Sequence, residues 1–264
     1  MLPFVAEFVG TMMLILLGDG VVANVTLNKS GMKGAGSIQI TIAWGLAVLL
    51  PAFIFGAASG ASFNPALTIA LAVDGSFTAA AYGLGCSTVV AVIGYIVAQF
   101  AGAFVGACLV YLLFKKQFDE TEDPATKRGV FCTAPSIPNM PLNILSEAIG
   151  TFVLVFAIKG LAQVGGANLA IEDTVIATVS NPDVGGKFLV FAIIVSIGMS
   201  LGGLTGYAIN PARDIGPRLA HAVLPIKGKT DSNWKYAIVT AVGPVLGALA
   251  AVGLYWVIFT AGIF

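Results

Sequence analysis

The sequence predicts an all-α membrane protein, with six transmembrane helices and two half-helices that meet at the midplane, arranged as an inverted repeat. Three observations carry this reading. Of the 264 residues, 58% are hydrophobic and 10% charged, against roughly 45–50% and about 25% in a soluble domain, so the bilayer is the solvent. Six runs are apolar for long enough to cross a hydrocarbon core about 30 Å thick, which takes about 20 residues of helix. The two halves of the chain also echo one another.

Runs at 4–27, 36–58, 82–114, 142–162, 187–205 and 234–260 are each predicted to span. Period-2 alternation is absent, which favours helices over the strands of a closed barrel, the other structure that satisfies every backbone group in lipid. The first run has no basic n-region before it and no small-residue cleavage site after it, so it reads as a retained span. Pro65 to about Val73 and Pro211 to about Ala220 are apolar but too short to cross, and each is predicted as a half-helix. The stretch 115–141, with Lys115, Lys116, Asp119, Glu120, Glu122, Asp123, Lys127 and Arg128, and the stretch 163–186 read as solvated loops. Residues 1–264 show no internal domain boundary, so one membrane domain is expected, with repeats of approximately 1–114 and 142–264 joined by loop 115–141.

The repeat is specific. Ala6-Glu7-Phe8-Val9-Gly10-Thr11 returns as Ser146-Glu147-Ala148-Ile149-Gly150-Thr151, and Gly60-Ala61-Ser62-Phe63-Asn64-Pro65-Ala66 as Gly206-Tyr207-Ala208-Ile209-Asn210-Pro211-Ala212. An odd number of spans per half makes the second copy enter from the opposite side, and paired Pro-interrupted segments in inverted halves point to a site near the midplane. Asn is a strong N-cap and Pro suits the first helical position, so Asn64-Pro65-Ala66 and Asn210-Pro211-Ala212 each start a helix. Each Asn oxygen would accept from its own helix, leaving its NH₂ free to point beyond the tip. Two converging N-termini, each worth roughly half a positive charge, with Arg213 nearby, should repel cations and excess protons. Dehydration should exclude anions, which leaves small neutral hydroxylated molecules.

These residues resemble those of the major intrinsic proteins, the aquaporin and aquaglyceroporin family, over essentially the whole chain. The resemblance rests on both Asn-Pro-Ala motifs, on the Glu-x-x-Gly-Thr openings, and on Gly203-Leu204-Thr205-Gly206-Tyr207-Ala208-Ile209-Asn210-Pro211-Ala212-Arg213-Asp214. It implies a homotetramer in the cell membrane with one pore per subunit. Carried over by spacing from the motifs, the selectivity filter would be Trp44, Gly198, Tyr207 and Arg213. Trp44 matches the aromatic wall of glycerol facilitators, Gly198 stands where water-selective members place histidine, and Asp214 is typical of the glycerol-conducting branch. The implied function is passive diffusion of glycerol, other small uncharged solutes and water. Two departures stand out: Tyr207 replaces the usual Phe, making the filter narrower or more polar, and Ser62 replaces the usual His two residues before the first Asn.

Other residues carry weaker expectations. Glu7 and Glu147 lie inside spans, where a functional role is the default; their place in the repeat suggests support of the half-helix loops through backbone N–H groups, with a direct pore contact as the alternative. Asp19 is intramembrane by sequence, with a water-facing place at a span end as open as a functional one. His221, the single histidine, is expected to contact a helix C-terminus, with a pH-sensitive gate as the sharper alternative. Small residues in the third span, including Gly102 and Gly106, suit close helix packing.

The remaining features exclude other classes. Thirteen basic and thirteen acidic residues give zero net charge, so no nucleic-acid partner is expected. Cys86, Cys108 and Cys132 form no disulfide or metal pattern. No nucleophile, base and orienting group recur together and no phosphate loop exists, so neither an enzyme nor a cofactor is expected. A water-selective pore and an alternating-access transporter remain as alternatives. The family topology puts both termini in the cytoplasm, with only Lys159 and Lys187 inside against nine other basic residues outside. This opposes the positive-inside rule, a conflict that a basic cytoplasmic tail beyond Phe264 would reduce.

Overall fold

The computed structural model describes residues 1–161, 182–259 and 261, and these form helices with no strand among them. The first half comprises α1 (Leu2–Thr26), α2 (Ser37–Ser59), the half-helix α3 (Pro65–Val73), a 3-10 turn at Ala80–Tyr82 and α4 (Thr88–Leu113). Two short helices follow, α5 (Lys115–Glu120) and α6 (Pro124–Phe131). The second half comprises α7 (Met140–Leu161), α8 (Pro182–Thr205), the half-helix α9 (Pro211–Val223) and α10 (Ala237–Phe259). Six of these helices are long and apolar enough to cross a membrane.

The molecule is inverted relative to a soluble domain. Large apolar side chains point outward, such as Leu46, Leu50 and Ile54 on α2 and Val90, Ile93 and Val97 on α4. The interior instead buries Glu7, Asp19, Gln99, Glu147, Asp214 and Arg218. A lipid-facing surface needs no polar groups, whereas every polar group inside must find a partner.

The helix pairs α1–α4 and α7–α10 use the same device. A Cβ on Gly102 of α4 would lie 2.1 Å from the Phe8 carbonyl oxygen, and one on Gly247 of α10 would lie 1.9 Å from that of Ala148. Gly106 and Gly243 allow the same approach one turn away. Only hydrogen fits between these backbones, which is how small residues bring membrane helices together.

Several boundaries differ from the sequence reading. The third span starts at Thr88 rather than at 82, because Ser87 caps it, its hydroxyl accepting from Val90 N at 3.4 Å. The fifth span starts at Pro182, so 182–186 belongs to a helix; the rest of the expected loop 163–186, up to 181, lies outside the described residues. The second half-helix reaches Val223, where Lys229 Nζ donates to the carbonyls of His221, Ala222 and Leu224 at 2.7 Å each. This cation supplies the C-terminal cap that the sequence reading gave to His221.

The stretch 115–141 is not simply a solvated loop. Asp123 caps α6, accepting from Ala125 N and Thr126 N, with Pro124 at the first helical position. Those bonds, led by the Thr126 hydroxyl, hold the Asp123 carboxyl below its usual range. Phe118 and Phe131 stack at 5.4 Å and are buried together with Lys127 and Val130. Thr121 accepts from Asn28 N at 2.9 Å, which ties the segment to the end of α1.

Candidate functional site

Both half-helices begin at their Asn. Asn64 has extended backbone and its Oδ1 accepts from Ala66 N at 3.0 Å. Asn210 repeats this, accepting from Ala212 N at 2.9 Å and Arg213 N at 3.3 Å. Pro65 and Pro211 fill the first helical positions, and Ala66 and Ala212 are fully buried behind them. The NH₂ groups are not wholly free, as the sequence reading had them. Asn64 Nδ2 donates to the Ile209 carbonyl at 2.9 Å, and Asn210 Nδ2 donates to the Phe63 carbonyl at 2.8 Å. Each asparagine thus bonds the residue preceding the other. A side-chain amide carries two hydrogens, so one per asparagine remains for the cavity that both residues line.

The chain leading to each tip is bent in the same way. Ala61 (φ 52°) and Phe63 (φ 48°) match Tyr207 (φ 36°) and Ile209 (φ 43°), four non-glycine residues in left-handed conformations. Such strain persists only where the surroundings overdetermine it, and here two carboxylates do so. Glu7 Oε1 accepts from Ser62 N at 3.1 Å and Ser59 Oγ at 2.6 Å. Its Oε2 accepts from Phe63 N at 2.8 Å and Gln99 Nε2 at 2.7 Å. Glu147 accepts from Ala208 N at 3.0 Å and Ile209 N at 2.7 Å. These bonds fix the two loops beside a cavity that Gly60, Ala61, Ser62 and Ala208 border.

That cavity, about 390 Å³, runs past both tips. At one end stand Trp44, Tyr207 and Arg213. The Arg213 guanidinium carbon lies 3.9 Å from the centroid of the Trp44 ring. The Tyr207 hydroxyl is turned toward Thr41 but does not meet hydrogen-bond geometry with it. Gly198 is close by but does not line the cavity. A Cβ there would sit 2.6 Å from Thr41 Cγ2 and 2.9 Å from Tyr207 Cζ, and one on Gly202 would sit 2.6 Å from Tyr207 Cδ1. The room that Gly198 leaves is taken by the Tyr207 ring, not by open space.

Away from these the wall is aliphatic, with Leu67, Leu71, Ile158, Leu161, Val190 and Ile194, and Lys187 also lines it. The Lys187 side chain lies across Gly56, where a Cβ would be 2.6 Å from its Cε. Lys159 on α7 pairs with Asp74 at the end of α3 at 2.8 Å, fixing the outer end of that half-helix.

Sequence reasoning placed three residues incompletely. Asp19 does not face water at a span end: it is fully buried, with Oδ1 3.5 Å from Arg213 Nη1. Asp214, read as a branch marker, is also fully buried, with Arg218 donating to it from Nε and Nη2 at 2.8 Å each. Asp214 also accepts from Thr133 N at 2.8 Å and Thr240 Oγ1 at 2.9 Å. Arg218, which the sequence reading passed over, donates further to the carbonyls of Ser232, Asn233 and Thr133. The Arg-Asp-x-x-x-Arg spacing at 213–218, one helical turn between Asp and the second Arg, was the signal available. His221, outside the six spans, is buried with Nδ1 2.8 Å from Ser232 Oγ. Burial first, then Lys229, Arg128 and Arg218, push its pKa down to about 4.

Comparison with known proteins agrees with this architecture. The family model described as "Major intrinsic protein" matches residues 2–255. The chain is 48% identical over 252 residues to the probable glycerol uptake facilitator protein of Thermotoga maritima, covering 96% of this chain and 97% of that one. It is 49% identical over 247 residues to the glycerol uptake facilitator protein of Bacillus subtilis, covering 94% and 81%. The crystal structure of the aquaglyceroporin from Plasmodium falciparum superposes with a TM-score of 0.73 at 28% identity, over 96% of this chain and 94% of that one. With a family match over almost its whole length and spans that bury their polar groups inward, this multi-pass membrane chain belongs to the major intrinsic protein family.

Proposed function

We propose that the protein is a passive channel for glycerol and other small uncharged solutes, with water also passing and no covalent chemistry. The observation that carries this is the cavity itself, which passes both half-helix tips and pairs apolar walls with a few fixed polar groups. Trp44 and Tyr207 give a carbon backbone an apolar corner, while Arg213, the remaining Asn64 and Asn210 hydrogens and the loop carbonyls serve hydroxyls. The half-helix N-termini repel cations at the centre. The whole chain acts as one channel domain of two inverted repeats, with Glu7 and Glu147 supporting the loops. The relatives' names support glycerol as the solute, and a homotetramer in the bilayer is the assembly we expect.

The test is stopped-flow light scattering on proteoliposomes, comparing glycerol and water permeability beside a proton-leak assay. Fast, non-saturating glycerol flux without proton leak is the expected result. Fast water flux with negligible glycerol flux would replace this reading with a water-selective pore, for which the Tyr207 hydroxyl, absent from the usual Phe, is the observation in favour.

A further inference from the structure

The cavity has a charged residue behind it that conduction of neutral solutes leaves unexplained. Asp19 sits on α1 with no exposed surface, and neither carboxylate oxygen has a hydrogen-bond partner. Arg213 Nη1 is likewise buried without one, 3.5 Å from Asp19 Oδ1. The adjacent acid, Asp214, is committed to Arg218, Thr133 and Thr240. A buried carboxylate is tolerated only beside a compensating charge, and among the described residues Arg213 supplies it.

The same turn of α1 also seats the tryptophan. A Cβ on Gly18 would come within 2.2 Å of the Trp44 ring, so the indole rests on Gly18 while Asp19 faces Arg213. The guanidinium therefore has two neighbours, the Trp44 ring, whose centroid lies 3.9 Å from its central carbon, and Asp19, whose Oδ1 lies 3.5 Å from Nη1. A planar fork packed on an indole and paired with a carboxylate keeps its remaining N–H groups in a fixed direction.

We infer that Asp19 is the counter-ion and positioning residue of Arg213: it cancels the cation's charge and keeps the guanidinium flat on Trp44, so that the constriction stays wide enough for a polyol. The inference rests on the channel reading above and adds to it the residue that sets the glycerol-to-water ratio. Without the carboxylate, the guanidinium is free to swing off the indole toward the cavity, where it obstructs a polyol more than a water.

The experiment combines transport with a spectroscopic report. Asp19→Asn is made in the wild-type and Arg213→Val backgrounds, with Trp234→Phe and Trp256→Phe leaving Trp44 as the single tryptophan for emission spectra. In the wild-type background Asp19→Asn is expected to lower the glycerol-to-water permeability ratio about fivefold, and to shift Trp44 emission. In the Arg213→Val background it should change neither. Asp19→Ala, which leaves no polar group at position 19, repeats the test should the amide disturb folding. A ratio within twofold of wild type together with unshifted emission overturns the inference. So does an equal effect in both backgrounds, which would mean that Asp19 acts only through the fold. A wild-type protein that passes water but not glycerol overturns the channel reading instead, and the Trp44 emission arms then decide the Asp19 inference alone.

Discussion

Gly202→Ala adds one methyl group behind the Tyr207 ring, whose atoms are its three nearest neighbours. Its Cβ would lie 2.6 Å from Tyr207 Cδ1 and 2.9 Å from Cε1. Carbon atoms settle at about 3.5–4.0 Å, so the ring must retreat by about 1 Å, and with α8 behind it the open direction is the cavity. Overpacking of this kind costs about 1–3 kcal/mol. Even ~1 kcal/mol appearing on the glycerol barrier is about a fivefold loss of permeability, while water, being smaller, should lose less than twofold. Gly203→Ala is the matched control, since a Cβ there meets nothing within 4 Å. Stopped-flow light scattering on proteoliposomes with equal protein content reads both solutes. Gly198→His should act in the same direction, because its Cβ drives into Thr41 and the same ring. Equal losses of glycerol and water in Gly202→Ala, or no loss of either, would mean that the Tyr207 ring does not wall the path.

Further predictions concern what holds the site. Glu147→Gln replaces an acceptor with an NH₂ beside the backbone N–H of Ala208 or Ile209, and one unsatisfied buried donor should cost about 1–3 kcal/mol in detergent unfolding. Glu7→Gln should cost at least as much, since four donors converge on that carboxylate. Arg218→Met strands the fully buried Asp214 and should cost about 3–5 kcal/mol, with the Arg218→Met, Asp214→Asn pair recovering part of the loss. His221 has a folded pKa of about 4 against 6.5 for the free side chain, so the fold favours the neutral ring. Its contribution is complete above pH 6.5 and is lost as pH falls toward 4. Thermal unfolding of wild type minus His221→Gln should therefore narrow across that window, while glycerol flux stays level between pH 7 and 8.

The sequence made the spans and half-helices legible because the bilayer demands length and apolarity, and Pro65 and Pro211 mark their starts with local chemistry. It also pointed to Glu7 and Glu147, since a carboxylate repeated at the same place in two halves needs a reason. Where contacts depend on tertiary placement, legibility ended. Asp19 and Arg213 lie in opposite halves of the chain, so no local pattern pairs them. The short helices α5 and α6 lack apolar length and are held by packing of Phe118 on Phe131. Gly198 was placed by spacing, but its neighbour Tyr207 occupies the space, because a left-handed backbone at Tyr207 directs the ring against α8. Left-handed conformations at Ala61, Phe63 and Ile209 are similarly invisible, since their residue types give no sign of them.

The reciprocal bonds between Asn64 and the Ile209 carbonyl, and between Asn210 and the Phe63 carbonyl, have a mechanical consequence. They act like two bolts thrown from opposite sides of one door. Rocking either half about the midplane, as a carrier does to face first one compartment and then the other, stretches both at once. A protein latched in this way keeps its two halves in one arrangement and moves solute down its gradient without a cycle.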